Sequence, residues 1–241
     1  MTAGVTEFAG LAPAPGVVAA SGMSAGLGLG GDTVGSPILA LSPAAYFQFN
    51  RGIIVTGSGV SQWADQSGNS RHLLQATDAA RPSLQGDGSI LFDGVDDFLK
   101  CSAFTLNQPE TVYALFKPVS YTVNDRVFDG NTTNTGVLYQ DGTTPSYGIF
   151  AGSGPVSRAG PVVGVYGAVA AVFNGVSSAL QFSGGTQIGA AGAGNMGGFA
   201  LGSRGDTTIQ FSNIQVKEVA IFAAAHAAAT RAAVIAYLSA L

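Results

Sequence analysis

The sequence predicts an all-β protein, a sandwich or barrel of short antiparallel strands, and three observations carry that expectation. Short apolar runs recur from Ile38 to Phe222. Asp93-Gly94, Asp129-Gly130, Asp141-Gly142, Asn174-Gly175 and Gly184-Gly185 stand between them as turn signals. Helical spacing is confined to the C-terminal end. Many short strands with Gly-rich turns pack as sheet on sheet, whereas a parallel sheet needs strands alternating with helices.

Residues 1–40 read as an extended Gly/Ala-rich arm. Gly and Pro punctuate it, no period of 2 or 3.6 is sustained, and Glu7 and Asp32 are its only charges. Phe8, Leu11, Val17, Val18, Leu27 and Leu29 are its expected docking contacts. A secretory leader is not expected, because no Lys or Arg precedes Arg51 and Glu7 sits where a positive region belongs. Pro13 and Pro15 break any membrane-spanning run.

Residues 41–241 are the expected sandwich. Candidate strands are Ser89–Phe92, Phe98–Ser102, Thr111–Lys117, Arg126–Phe128, Val137–Tyr139, Tyr147–Phe150, Val162–Phe173, Ala179–Phe182, Phe199–Leu201 and Ile209–Phe222. Thr111–Lys117 is apolar on both faces, as expected of a strand in the middle of a layered structure. A helix is expected over 227–240, where Val234, Leu238 and Leu241 form a stripe at spacings of four and three. His226 and Arg231 would then lie near solvent. No Ser, Thr, Asp or Asn stands at the helix start, so its cap is missing.

The 241 residues include 35 glycines and only 10% charged side chains, with a net charge of −4. A surface so poor in charge suits a chain packed among neighbours, so a homo-oligomer or larger assembly is expected. No basic run interleaves with aromatics, which argues against nucleic acid. The lone Cys101 excludes an internal disulfide framework and a cysteine zinc site.

Three motifs resemble the laminin-G-like, concanavalin A-like lectin/glucanase superfamily. Trp63-Ala64-Asp65-Gln66-Ser67-Gly68-Asn69, followed by His72, Ala76-Thr77 and Arg81-Pro82, is similar to that family's "W-x-D-x-S-G-N … H … A-T … R-P" opening. Phe92-Asp93-Gly94-Val95-Asp96-Asp97-Phe98-Leu99 is similar to its "F-D-G-x-D-D-Y-L" hairpin, and Ile214–Phe222 to its closing strand. The resemblance implies a jelly roll of two antiparallel sheets with the C-terminal helix closing one edge. This style of domain also resembles modules of tailed-phage virion proteins. The residues have a local reading too: Asp65 and Asn69 favour a tight turn, and Trp63 should anchor a cluster beneath it.

Glycoside hydrolysis needs two carboxylates flanking the scissile bond. The glutamates Glu7, Glu110 and Glu218 fall in no such pattern, and Asp96 and Asp97 would point to opposite faces of a strand. No enzyme activity is therefore expected. Asn69, Asp93, Asp96 and Asp97 are hard oxygen donors suited to calcium, the only cofactor the sequence suggests. Asn131 and Asn134 in the loop 129–136, with Tyr139 and Tyr147, are candidates for a carbohydrate platform.

The expected function is a non-enzymatic structural virion protein of a tailed phage, as a capsid decoration, head-fibre or tail-associated subunit. It would be assembled in the host cytoplasm and held in the virion by its arm docking on other virion proteins. The alternative is a carbohydrate-binding module mediating adhesion to cell-surface glycans.

Overall fold

A computed structural model describes residues 36–241. The arm contacts Phe8, Leu11, Val17, Val18, Leu27 and Leu29 lie outside the described residues. The strands in chain order begin with β1 Ala45–Phe47, β2 Ile53–Thr56, β3 Gly59–Trp63, β4 Leu73–Leu74, β5 Ser83–Leu84 and β6 Ile90–Asp93. They continue with β7 Leu99–Lys100, β8 Glu110–Pro118, β9 Arg126–Asp129, β10 Val137–Gln140, β11 Ser146–Phe150 and β12 Val156–Ala159. The last are β13 Gly167–Phe173, β14 Ser178–Phe182, β15 Gly185–Gly189, β16 Ala200–Leu201 and β17 Asn213–Phe222, followed by α1 Ala228–Leu238.

All pairings between these strands are antiparallel. An eight-stranded sheet runs β15-β14-β13-β8-β17-β6-β5, with β1 also paired to β17, and a nine-stranded sheet runs β12-β11-β10-β9-β16-β7-β4-β3-β2. The expected all-β class, two antiparallel sheets and short C-terminal helix are what the structure has.

Between the sheets lies the main core, which includes Phe47, Trp63, Phe92, Phe116, Phe128, Tyr147, Phe173 and Phe199. Burying side chains of this size contributes roughly 1.5–3 kcal/mol each. Strand β8 explains its own sequence: Val112, Ala114 and Phe116 face this core, while Tyr113 and Leu115 face a second cluster on the outer side. There α1 presents Val234, Ile235 and Leu238 to the small Ala168, Ala170 and Ala220 of the sheet. Ile38 belongs to the same cluster and is fully buried.

A bulge in β17 between Val216 and Glu218 changes its parity. Ile214 and Val216 face the inter-sheet core before it, Val219 and Ile221 after it. Without that shift the Glu218 carboxylate would enter an apolar core. Instead it accepts hydrogen bonds from the Tyr46 hydroxyl at 2.8 Å and the Phe49 amide at 3.2 Å.

The helix start differs from expectation. Arg231 is 9% exposed: its Nε donates to Gln181 Oε1 at 2.8 Å and its Nη1 to the His226 carbonyl at 2.7 Å. Ala227 gives no side-chain cap, as the sequence implies.

Candidate functional site

The motif around Trp63 builds a cavity wall. Asp65 is 8% exposed and accepts four bonds. Its Oδ1 takes the amides of Tyr46 at 2.9 Å and Ser67 at 2.8 Å, and its Oδ2 takes the Ser67 hydroxyl at 2.9 Å and the Arg71 amide at 3.0 Å. The Asp65 amide in turn donates to His72 Nδ1 at 3.1 Å. Trp63 lies beneath with its indole N–H shared between the carbonyls of Gln48 and Arg51. One carboxylate thereby fixes a tight turn that carries Asn69 and Arg71.

Those two side chains edge an open cavity of about 330 Å³ at the rim of the sandwich. Its other walls are Leu41–Ala44 leading into β1, Thr105, and Phe222–His226 leaving β17. Asn69 Nδ2 and Arg71 Nη1 both donate to the Ala44 carbonyl, at 3.0 and 2.7 Å. The Arg71 guanidinium lies 4.0 Å above the Phe104 ring, an arrangement that holds its planar fork in place. On the far wall His226 shares a 2.9 Å hydrogen bond between Nδ1 and the Tyr113 hydroxyl and packs on Phe222. Burial, then the Arg231 charge, holds the His226 pKa below the usual histidine value, so the ring is neutral at pH 7. The expectation of an exposed His226 fails because the ring folds inward onto Tyr113.

The lining thus combines a fixed cation, a neutral imidazole, an amide and hydroxyl groups with the apolar Leu41, Pro43 and Phe222. Polar and apolar groups share this lining, in a volume at the lower end of the range for small-molecule sites. Sequence reasoning missed Arg71 and Thr105. The signal available was the position of Arg71, the first cation after the turn that the Asp65 and Asn69 spacing predicts.

The predicted carbohydrate platform is not assembled. Tyr147 is fully buried, donates its hydroxyl to the Pro161 carbonyl at 3.1 Å and packs edge-on to Phe116. Tyr139 is 8% exposed, with the Arg126 guanidinium 5.0 Å over its ring. Register gives the reason: Tyr139 pairs with Gly148, so the adjacent Tyr147 faces the other side of the sheet. Gly148 is required there, since a Cβ would stand 2.7 Å from the Tyr139 ring. Asn134 reaches Arg126 through Oδ1 at 3.2 Å, whereas Asn131 engages through its backbone, accepting from Lys100 Nζ at 3.0 Å. The loop 129–136 is organised by Asp129, fully buried, which accepts amides from Gly130, Asn134, Thr135 and Gly205. Arg126 Nε, Gln210 Oε1 and Ser212 Oγ are buried without partners among the described residues.

Asp93, Asp96 and Asp97 do converge, with one carboxylate oxygen of each within 4.8 Å of the others. Asp93 ends β6, while Asp96 and Asp97 sit in the turn after it rather than on a strand, which corrects the expectation that Asp96 and Asp97 point apart. Burial, then the neighbouring Asp93 and Asp96 charges against an amide bond from Asp93, pushes the Asp97 pKa up to about 6. Asn69 is not part of this group. It bonds the Ala44 carbonyl, next to Ile221 on β17, while Asp93 pairs with Asn213 at that strand's other end. Eight residues of strand separate them by roughly 26 Å. Calcium takes six to eight oxygens; this turn could offer a hard cation three carboxylates, two of them already bonded to amides of the same turn. Glu110 and Glu218 form no pair, since Glu218 lies opposite Leu115, five residues or roughly 17 Å along β8 from Glu110.

No protein-family model matches the sequence, and no curated protein does. Solved structures do match. Trypanosoma rangeli sialidase in complex with sialic acid is similar with a TM-score of 0.61 at 10% identity, over 83% of this chain and 33% of that one. A mutant GH54 α-L-arabinofuranosidase soaked with 4-nitrophenyl α-L-arabinofuranoside is similar with a TM-score of 0.57 at 14% identity, over 75% of this chain and 50% of that one. An arabinofuranosidase complexed with arabinofuranosyl-α-1,2-xylobiose gives 0.54 at 15% identity over the same shares. The chain spans about a third of the sialidase and half of the arabinofuranosidases.

At these identities the likeness is one of fold. It overturns the reading as a non-enzymatic virion subunit, which rested on sequence motifs, low charge and the arm, because the structures that share the fold here are a sialidase and arabinofuranosidases. The exclusion of an enzymatic role falls with it. What fold and cavity together define is a two-sheet antiparallel β-sandwich with a cavity of small-molecule size at its rim.

Proposed function

We propose that the chain is the glycan-holding sandwich of a carbohydrate-active enzyme, with the rim cavity taking one sugar unit. The observation that carries this reading is the cavity of about 330 Å³ in which Asn69, Arg71, Thr105 and His226 converge over Leu41, Pro43 and Phe222. Sugars present hydroxyls on an apolar ring face, and this lining offers partners to both. In the same proposal the two sheets follow the jelly-roll path of laminin-G-like, concanavalin A-like sandwiches, which the Trp63–Asn69, Phe92–Leu99 and Ile214–Phe222 motifs support.

The test is saturable glycan binding by the full chain on a broad array, with release from 4-nitrophenyl glycosides measured alongside. Binding that weakens in Asn69→Ala and in Thr105→Val supports the reading. Absence of saturable binding to every glycan, with no glycoside turnover, overturns it.

A further inference from the structure

Resting on that reading, we infer that the rim cavity selects a sugar bearing a carboxylate, such as a hexuronate, over its neutral counterpart. The charge of the lining gives the reason. Arg71 is its one permanent charge, and no carboxylate lines the cavity. His226 on the opposite wall is held neutral. Among the described residues Arg71 forms no salt bridge. Asp65, the carboxylate nearest to it in the chain, does not line the cavity, and its two oxygens already accept four bonds.

The guanidinium is also oriented. Nη1 is spent on the Ala44 carbonyl and the plane is fixed on Phe104. Nε and Nη2, the adjacent donors along one edge of the fork, have no partner among the described residues and are not buried. Two parallel N–H donors on a rigid plane match a carboxylate in bidentate geometry, which a neutral hydroxymethyl group cannot reproduce. Asn69 Oδ1, the Thr105 hydroxyl and the imidazole remain for the sugar hydroxyls.

The experiment titrates the full chain, by calorimetry or amide chemical shifts, with methyl glycosides in pairs that differ only at C6. Methyl β-D-glucuronide is set against methyl β-D-glucoside, and the galacto pair is treated likewise. The expected result is a preference for the acid of roughly tenfold or more in at least one pair. It should shrink as salt is raised and fall toward one in Arg71→Gln, while Arg71→Lys, which keeps the charge and loses the fork, should recover only part of it. Melting curves of both variants verify folding, and the salt dependence of the native chain stands whether or not they fold. Equal binding of acid and neutral sugars overturns this inference and leaves the glycan reading in place. Binding of no member of any pair overturns this inference too, while the array result above decides the broader reading.

Discussion

Glu110 accepts a hydrogen bond from the Met196 amide at 3.1 Å through Oε1, and its Oε2 is buried without a partner among the described residues. Burial, set against that one amide bond, raises its pKa from 4.5 to about 8. A carboxyl whose pKa is higher folded than unfolded favours the fold fully below the unfolded value, and that contribution disappears as pH rises through the folded one. Stability should therefore decline between pH 4.5 and 8, by a few kcal/mol at the upper end. Urea unfolding across that range checks it, and Glu110→Gln, which keeps an acceptor for Met196, should flatten the decline.

Asp97 provides a second slope in a lower window. With its pKa raised from 3.8 to about 6, the loss falls between those two values. Asp97→Asn keeps an oxygen for the Asp93 amide and removes the charge beside Asp93 and Asp96. It should be more stable than the native chain at pH 7, by about 1–3 kcal/mol, and no more stable at pH 3.5. Millimolar calcium should raise the native melting midpoint and do less for Asp97→Asn; an unmoved midpoint removes calcium from this turn.

Asp65→Ala should cost about 2–4 kcal/mol, because it strands the buried Tyr46 amide and frees the turn holding Asn69 and Arg71. Chemical denaturation measures that cost. The same variant should lose glycan affinity although Asp65 does not line the cavity, and Asp65→Asn, which keeps one acceptor oxygen and turns an NH2 toward two of the donors, should recover only part of the stability.

Gly202 has φ +84°, and a Cβ there would stand 2.3 Å from the Phe92 ring. Both the backbone and the core resist a side chain at this point. Gly202→Ala should destabilise by about 2–4 kcal/mol, read as a lowered urea midpoint with an unchanged slope.

The central sheet was legible in the sequence because β8 and β17 are long and apolar on defined faces. Thr111–Lys117 announced burial on both sides, and the two clusters meeting at Tyr113 and Val112 are that burial. Strands β1 to β5, β12 and β15 were missed: all have five residues or fewer, and in β2, β4 and β5 the exposure of Ile54, Val55, Leu74 and Leu84 removes any alternation. Local chemistry was legible at Asp65, where donors and acceptor are neighbours in sequence. The cavity was not, since Ser42, the Asn69–Arg71 turn, Thr105 and His226 come from four separate segments that only the sheet register brings together. Tyr147 misled for a related reason: strand parity cannot be fixed for two aromatics until their pairing is known.

Because Leu41–Ala44 and Phe222–His226 lie at opposite ends of the folded sequence, the cavity closes only when the first and last strands have zipped together. Occupancy by a ligand therefore reports completed folding of the whole sandwich rather than of any part. A bound sugar should also slow global unfolding and protect amides in β1 and β17 from hydrogen exchange, making it a clamp across the seam between the first strand and the last.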